Sequence, residues 1–511
     1  MISKIFCITV NWLDSEIIEV EVDINAWLPN FTIVWLPDQW VQESKERIRS
    51  ALKSSNMKLP VSRITVNLAP ADIRKTWPSF DLPIAVGILN NAWDIGENEY
   101  LKNSIFIWEL SLDGSLRPVS SILPSVIWAL EKWYKNIFLP SDNYKEASII
   151  EWINIIWIKN LSDLVQFLKW EKTLEMEEKL DIKNFKGDEN SKYDFKYIVG
   201  QNQAKRALEI AAAWLHNIVM SWPPWSWKTL LAKTFATILP ELTLEEMIEI
   251  SKIYSISGLL SKENPIITKR PFRVVHHTAS SISIIWWWRN AKPWEISLSH
   301  KWVLFLDEVL EFPKVVLEVL RQPLEDWTIS VNRVNSSYTY PAKFLLLWAM
   351  NPCPCGYLTD PDKNCICTQD QVKRYRGKLS GPMVDRIDIM IEVPKVKTED
   401  FSSKKDYSNI EDSKTIKDRI EKAREIQLKR FSNTKVTSNS QMTLSEINKF
   451  CILWKESEDL LQKAVNSMNL SARAYYRILK LARTIADLEN IENIELKHIM
   501  EALSYRRSEE E

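Results

Sequence analysis

Residues 222–229 read Trp-Pro-Pro-Trp-Ser-Trp-Lys-Thr, which matches the phosphate-binding pattern G-x-x-x-x-G-K-[ST] except that tryptophan replaces the required glycines. In such a loop the backbone N–H groups surround the nucleotide phosphates, so the glycine positions need free dihedral angles and no side chain. We predict that this loop binds ATP, with the Lys228 ammonium on the β- and γ-phosphates and the Thr229 hydroxyl on Mg²⁺. The loop residues are Trp222, Pro223, Pro224, Trp225, Ser226, Trp227, Lys228 and Thr229.

Tryptophans elsewhere in the chain also stand where glycine is usual. Only 9 residues are glycine but 24 are tryptophan, and together they make about 6% of the chain, close to the usual glycine content of about 7%. Asn11-Trp12, Trp77-Pro78 and Asp326-Trp327 are turn-like pairs. Our hypothesis is that most of these tryptophans are glycines in the living protein, from a gene whose UGA codons mean glycine but were translated as tryptophan. The alternative, a genuinely tryptophan-rich core, would follow apolar periodicity instead.

Two further apolar strands end in polar residues suited to nucleotide chemistry. Val303–Leu306 leads into Asp307-Glu308, and Phe344–Leu347 leads towards Asn351. Paired with the loop, the acids predict that Asp307 helps to hold Mg²⁺ and that Glu308 polarises the attacking water. Asn351 would place an amide beside the γ-phosphate. Alone, an acidic pair after a strand is more often a solvated strand end.

Four cysteines form a compact group, Cys353-x-Cys355 and Cys365-x-Cys367. Four thiols in so short a segment can close around a tetrahedral zinc ion. The C-x-C spacing is tighter than the usual C-x₂₋₄-C, so buried reduced thiols are the alternative.

The elements that must position these residues suggest an α/β protein with a helical end. The predicted regions are an α/β unit at 1–170, a charged linker at 171–192, a strand–helix core at 193–396, a polar linker at 397–413 and a helical region at 414–511. We predict carboxy-terminal helices near Lys414–Phe431, Leu444–Phe450, Glu456–Ser467, Ala472–Glu489 and Leu496–Tyr505.

Charge and hydropathy narrow the class of protein. Lysine plus arginine number 66 against 67 aspartate plus glutamate, so no global basic character indicates nucleic acid. No signal segment and no apolar run long enough to span a membrane is evident, so we expect a cytoplasmic protein with no membrane partner.

The order of motifs resembles the YifB/ComM-type magnesium-chelatase-like AAA+ ATPases. The resemblance covers nearly the whole chain, and its most specific motif is Asn-Pro-Cys-Pro-Cys-Gly at 351–356. The other motifs are Tyr197–Gln201, the loop, His276–Ser280, Asp307-Glu308, Leu379–Asp388 and Leu470–Tyr475.

This resemblance implies an AAA+ P-loop core with a helical lid, in a homo-hexamer that uses ATP and Mg²⁺. It implies that Asn351 is sensor 1, that Arg386 is an arginine finger completing a neighbouring subunit's site, and that Arg473 is sensor 2 on the lid. For the ComM branch it also implies a DNA helicase that promotes branch migration. The alternatives are the ATPase subunit of a magnesium chelatase and, if the loop tryptophans are real, a non-hydrolysing scaffold.

The amino-terminal region resembles a Lon-protease-like domain with a ribosomal S5-type fold. Trp77–Asp81 parallels the segment with Lon's serine nucleophile, which would place that serine at Ser79. The position of Lon's lysine base carries Ser125 here, so the resemblance implies no active protease. Residues 289–292 and the hairpin-like segment at 329–341 could line a pore and contact phosphates, or form ordinary solvated loops.

Overall fold

The computed structural model describes residues 2–11, 14–34, 38–70, 80–92, 95, 98–171, 192–213, 215–223, 228–276, 295–333, 336–394, 410–432, 434, 436, 438–468 and 470–506. The strands are β1 (Ser3–Asn11), β2 (Asp14–Asn25), β3 (Asn30–Ile33), β4 (Arg63–Ala69), β5 (Ser104–Phe106), β6 (Glu109–Leu110), β7 (Leu116–Arg117), β8 (Asn136–Pro140), β9 (Asn154–Ile158), β10 (Ile218–Ser221), β11 (Phe272–Val275), β12 (Trp302–Leu306), β13 (Thr328–Arg333), β14 (Ser336–Pro341), β15 (Phe344–Met350) and β16 (Ile389–Glu392).

The α-helices are α1 (Asp38–Ser54), α2 (Asp81–Ala92), α3 (Glu99–Lys102), α4 (Ile122–Glu131), α5 (Tyr144–Ala147), α6 (Leu161–Leu168), α7 (Asn202–Ala213), α8 (Lys228–Phe235), α9 (Leu244–Ser257), α10 (Glu295–Leu298), α11 (Lys314–Val319), α12 (Arg321–Asp326), α13 (Gln369–Arg376), α14 (Gly381–Val384), α15 (Ser413–Arg430), α16 (Leu444–Phe450), α17 (Lys455–Ser467), α18 (Ala472–Leu488) and α19 (Leu496–Ser504). The chain divides into two compact units, each made of two segments. The first unit is Met1–Lys186 with Met247–Thr268, and the second is Gly187–Glu246 with Lys269–Glu511.

The first unit is built on a seven-stranded sheet in the order β3-β4-β2-β1-β5-β8-β9. β1, β2 and β4 pair antiparallel, whereas β1-β5, β5-β8 and β8-β9 pair parallel. In β4 the side chains at even positions are buried and those between them are more exposed, the pattern of a sheet with one covered face. Helix α2 is buried from Asp81 to Leu89 and packs beside β1 and β2.

A later part of the chain completes this unit. Within Met247–Thr268, the Ser255 hydroxyl donates to Glu146 at 2.5 Å, Lys262 pairs with Asp142, and Ile266 joins the apolar core. Burial raises the pKa of Glu146 despite its hydrogen bonds from Ser255 and the Leu123 amide. This return of the chain was not predictable from sequence, because helix α9 runs from the second unit into the first without a break.

The second unit is built on a five-stranded parallel sheet in the order β11-β12-β15-β10-β16. Every residue of β10, β12 and β15 is buried, as expected for parallel strands covered on both faces. β13 and β14 form a separate antiparallel hairpin. Helices α15 to α19 follow the sheet. The predicted α/β class, with an α/β core and a helical carboxy-terminal region, is confirmed.

Several tryptophans occupy backbone conformations that favour glycine. Trp133, Trp152, Trp170 and Trp327 have φ between 57° and 77°, the left-handed region that costs an L side chain about 1–2 kcal/mol. Beyond α4, the Trp133 amide donates to Leu130 and the next amide donates to Ala129, the two bonds of a Schellman motif. Trp170 ends α6 in the same way.

Three of these four tryptophans also bury little of their surface. Trp133, Trp152 and Trp170 are 92%, 86% and 73% exposed. An indole placed mostly in solvent and at positive φ contributes little packing and no relaxed backbone. The structure therefore supports the hypothesis that glycine belongs at these positions.

Candidate nucleotide site

The three central strands of the parallel sheet deliver three sequence-predicted groups to one edge. β10 runs into Trp222, β12 runs into Asp307 and β15 runs into Asn351. Because the strands are parallel, all three groups emerge at the carboxyl edge of the sheet, where open α/β sheets bind their ligands. Helix α8 begins at Lys228, directly after the loop.

Lys228 joins this edge through Asn351. Its ammonium donates to the Asn351 Oδ1 at 2.5 Å. Burial lowers the pKa of Lys228, while the charges of Asp307 and Glu308 oppose that shift. The structure thus gathers one cation, two acids and one amide, which are the group types that hold and cleave a phosphate chain.

The backbone after β12 turns sharply at the acidic pair. Glu308 has φ of 53° and ψ of 48°, a left-handed conformation, and its amide donates to the Asp307 Oδ1 at 2.9 Å. Strained backbone of this kind is concentrated at functional sites.

Of the loop itself, the structure describes Trp222, Pro223, Lys228 and Thr229. Trp222 is 1% exposed and its amide donates to the Met350 carbonyl at 3.0 Å, while its indole Nε1 has no hydrogen-bond partner among the described residues. A buried polar group left unpaired costs about 1–3 kcal/mol. The indole is therefore a poor fit at a position where glycine would leave no polar group to satisfy.

The remaining loop positions, Pro224, Trp225, Ser226 and Trp227, lie outside the described residues. Thr229 is exposed at the start of α8.

Arg386 lies at the opposite edge of the same sheet. It follows α14 and precedes β16, whose residues pair in parallel register with β10. At about 3.3 Å per residue, these four-residue strands separate the two edges by about 10 Å or more. The side chain is 4% exposed and forms an ion pair with Glu325, while its Nη1 donates to the Pro382 carbonyl.

Glu325 also approaches Arg473, the predicted sensor 2. Arg473 stands at the second position of α18, is 65% exposed, and its Nη2 lies 3.7 Å from the Glu325 carboxylate. The Glu325 carboxylate therefore lies between Arg386 and Arg473. Sequence reasoning missed Glu325, because an acid on a short charged helix carries no motif of its own.

Beneath Arg386, a buried polar network centres on Asp388. The Asp388 carboxylate accepts from Arg477 at 2.6 Å and from the Asn217 amide at 2.9 Å, and His216 lies 3.5 Å away. Burial alone would raise the pKa of Asp388, but the Arg477 charge and the His216 contact hold it far below its ordinary value. The same Arg477 donates to the Arg386 carbonyl, as does the Asn217 side chain.

The four cysteine sulfurs meet in one cluster that begins two residues after Asn351. All four lie within 4.8 Å of one another, and Cys353–Cys355, Cys353–Cys365 and Cys355–Cys365 are 3.3, 3.6 and 3.5 Å apart. A tetrahedron with Zn–S bonds of about 2.3 Å has edges of about 3.8 Å. The remaining member of the cluster is Cys367.

The thiols of the cluster differ in acidity. Burial raises the pKa of Cys353 to about 12. Burial acts in the same direction on Cys355, but backbone hydrogen bonds from Tyr357 and Ile366 outweigh it and lower the pKa to about 6. A thiolate held by backbone N–H groups is a ready metal ligand.

The amino-terminal unit gives less information about catalysis. Ser79 lies outside the described residues, as do residues 289–292. Ser125 is buried in α4, where its hydroxyl donates to the Ser121 carbonyl at 2.8 Å.

None of the helices in the described parts of the chain is both long and apolar enough to cross a membrane.

Family models cover most of the chain. The model described as "Magnesium chelatase, subunit ChlI" matches residues 194–401, "Subunit ChlI of Mg-chelatase" matches 20–143, and "Magnesium chelatase, subunit ChlI C-terminal" matches 410–506.

Full-length relatives agree with these matches. The chain is 40% identical over 498 residues to "Competence protein ComM" of Haemophilus influenzae, covering 97% of this chain and 95% of the relative. It is 37% identical over 489 residues to "Uncharacterized protein YifB" of Escherichia coli, covering 96% and 94%. An uncharacterized Mycobacterium tuberculosis protein is 34% identical over 508 residues, covering 99% of both chains.

Proposed function

The chain belongs to the YifB/ComM-type magnesium-chelatase-like AAA+ family, and from this premise we propose that it is an ATP-hydrolysing ring motor that remodels DNA. The observation that carries ATP hydrolysis is the meeting of Lys228, Asp307, Glu308 and Asn351 at the carboxyl edge of the parallel sheet. Four groups from three elements would have little reason to converge there for stability alone, because each is charged or polar and costs free energy to desolvate.

The residues of this edge have distinct tasks in the proposed reaction. Lys228 binds the β- and γ-phosphate oxygens, and Glu308 accepts a proton from the water that attacks the γ-phosphorus as the bond to the bridging oxygen breaks. Asn351 orients the γ-phosphate. Thr229 and Asp307 would hold Mg²⁺, which offsets phosphate charge when bound.

The position of Arg386 favours a site shared between subunits. Arg386 lies at the amino edge of the sheet, away from the carboxyl edge of its own chain. A neighbouring copy could present its Arg386 to this chain's nucleotide, as arginine fingers do in trans. We therefore propose a homo-oligomeric ring, a hexamer by family resemblance.

The proposal that the substrate is DNA is carried over from the family resemblance. The Haemophilus relative is named as a competence protein. Within the motor unit, hairpin β13–β14 is the element we propose to contact DNA phosphates. The proposed activity is branch migration of DNA junctions, and the location proposed for it is the cytoplasm.

We also propose that the four cysteines bind structural zinc. Sulfur separations near tetrahedral edges and a Cys355 pKa of about 6 support this assignment. Metal analysis of the purified protein should find one zinc per chain, and Cys365→Ser with Cys367→Ser should remove it. Cys7→Ser, a buried cysteine in the other unit, is the matched control. Metal-free protein with four reduced thiols would reject the proposal.

The central experiment uses the whole 511-residue chain with Trp222→Gly, Trp225→Gly and Trp227→Gly, here called the loop-restored chain. It should hydrolyse ATP and migrate synthetic four-way junctions in an ATP-dependent manner, while its Glu308→Gln variant should bind ATP and do neither. ATP hydrolysis without junction processing would reject the helicase, and insertion of Mg²⁺ into a porphyrin would favour the chelatase subunit. The chain that keeps the three loop tryptophans is compared in the same assays. If it binds ATP as well as the loop-restored chain does, and neither hydrolyses ATP, a scaffold is favoured.

A further inference from the structure

Glu325 links the two arginines of the amino edge although no motif assigns it a role. Its Oε1 forms an ion pair with Arg386 Nη2 and lies 3.7 Å from Arg473 Nη2. Glu325 is 45% exposed and Arg473 is 65% exposed, but Arg386 is 4% exposed. One carboxylate therefore faces both a buried and an exposed guanidinium.

The Arg386 guanidinium is turned into its own chain. Nη2 is taken by Glu325, Nη1 donates to the Pro382 carbonyl, and Nε is buried with no hydrogen-bond partner in the described part of the chain. A side chain that acts on a neighbouring subunit must reach the surface. In the observed position the guanidinium is therefore withdrawn from the surface. Burial of an incompletely paired guanidinium costs free energy, so the side chain is expected to leave this position when better hydrogen-bond acceptors are available.

Hydrogen bonds hold both the carbonyl and the amide of the Arg386 backbone. Its carbonyl accepts from Asn217 Nδ2 at 3.0 Å and from Arg477 Nη1 at 3.1 Å, and its amide donates to the Met383 carbonyl at 3.0 Å. Release therefore requires rotation about side-chain bonds only. The Glu325 ion pair is the charged contact that opposes this rotation.

We propose that Glu325 is a positioning residue that stores Arg386 against its own subunit until phosphate oxygens of a neighbouring nucleotide replace the carboxylate. This rests on the proposed role of Arg386 in trans. A polyphosphate offers a guanidinium more negative charge and more acceptor oxygens than one half-exposed carboxylate. The replacement of the Glu325 carboxylate by phosphate oxygens is thus favoured only when nucleotide is present. Arg473 shares the same carboxylate.

The first test needs no ATP hydrolysis. Phenylglyoxal modification of the dilute loop-restored chain, followed by peptide mass spectrometry, reports how accessible Arg386 is. Glu325→Gln keeps the shape of the side chain but removes its charge, so the modification rate of Arg386 should rise about fivefold. An unchanged rate would overturn the proposal whether or not the chain is an ATPase.

The matched control is Glu318→Gln on the neighbouring helix α11. Glu318 is 42% exposed and pairs with Arg321 at 2.7 Å. Glu318 also accepts from the Ser380 hydroxyl at 2.8 Å and interacts with Arg386 only as a weaker charge. This variant should therefore raise the modification of Arg321 and change that of Arg386 by less than about twofold. A comparable rise at Arg386 in the control as well would mean general loosening and would overturn the specific role of Glu325.

The second test is kinetic. Glu325→Gln should lower the KM for ATP about fivefold and leave kcat within about twofold, because a ground-state competitor has been removed. Glu325→Asp should resemble the parent, and in an Arg386→Ala background Glu325→Gln should change nothing further. A fall in kcat at unchanged KM, or the same effect without Arg386, would overturn the proposal.

Discussion

The two edges of the parallel sheet in the second unit carry charged groups organised in opposite ways. At the carboxyl edge, the described charged groups include the acids Asp307 and Glu308 and the half-buried cation Lys228. At the amino edge, Arg477 is held on the buried Asp388 carboxylate and on the Arg386 carbonyl, and Arg386 is held on the half-exposed Glu325 carboxylate. Under the proposed mechanism, the two halves of a phosphate-cleaving site lie on opposite edges of the sheet within one chain. The difference between the edges therefore supports the proposal that a complete site needs a second copy.

Removing Arg386 should have the largest effect and tests the comparison directly. Arg386→Ala in the loop-restored chain should reduce kcat for ATP hydrolysis about 10³-fold or more, because the transition-state charge loses its arginine. A Lys228→Ala chain should also be inactive, but mixing the two variants should restore part of the activity, since one chain supplies an intact carboxyl edge and the other an intact amino edge. If the mixture shows no ATP hydrolysis above that of the separate variants, the proposal that Arg386 acts on a neighbouring subunit is contradicted.

Glu308→Gln should follow, with kcat reduced about 10²–10⁴-fold and ATP affinity preserved, because the water loses its proton acceptor while the phosphate contacts remain. Glu311→Gln is the matched control, an acid just beyond the same turn that pairs with Lys378 at 3.8 Å. Single-turnover hydrolysis and nucleotide binding measured together distinguish the two. Loss of binding with Glu308→Gln would contradict its role as the base.

At the amino edge, the expected loss is one of stability. Asp388→Asn leaves the mostly buried Arg477 without its counter-ion, which should lower the free energy of unfolding by about 3 kcal/mol at pH 7. Urea denaturation measures this change. The control is Glu318→Gln, whose exposed pair should cost less than about 1 kcal/mol.

The same pair predicts a pH dependence. Because the folded pKa of Asp388 lies below its unfolded value of about 3.9, its stabilisation is present above about pH 4 and is lost as pH falls towards the folded pKa. The difference in stability between the parent and Asp388→Asn should therefore shrink below pH 4. A constant difference down to pH 2 would show that Asp388 acts by shape alone.

Trp133→Gly and Trp170→Gly should give the smallest effect, a gain of about 1 kcal/mol each in the free energy of unfolding, since both residues end helices at positive φ. Asn490→Gly is a matched control, because Asn490 holds the same position after α18 with φ of 56° and asparagine tolerates it better. A loss of stability on either tryptophan substitution would count against glycine at those positions.

Much of the second unit was predictable from sequence. The five carboxy-terminal helices begin and end within one residue of their predicted bounds, because their apolar periodicity and capping residues are local. The strands before Asp307 and Asn351 were likewise predictable as short apolar runs. The pairing of Lys228 with Asn351, the storage of Arg386 by Glu325, and the return of Met247–Thr268 to the first unit were not. Each of these is a contact between distant segments, which local pattern does not encode.

The tryptophans at left-handed helix ends also have an optical consequence. Indoles dominate the near-ultraviolet absorbance and emission of a protein, and Trp133, Trp152 and Trp170 stand in solvent, where they would emit at long wavelength and be quenched readily by iodide. If the cell places glycine at these and at most of the other tryptophan positions, the natural protein emits far more weakly than the product of the same gene expressed with the standard code. A fluorescence spectrum taken at equal molar concentration would reveal which genetic code made the sample before any activity is measured.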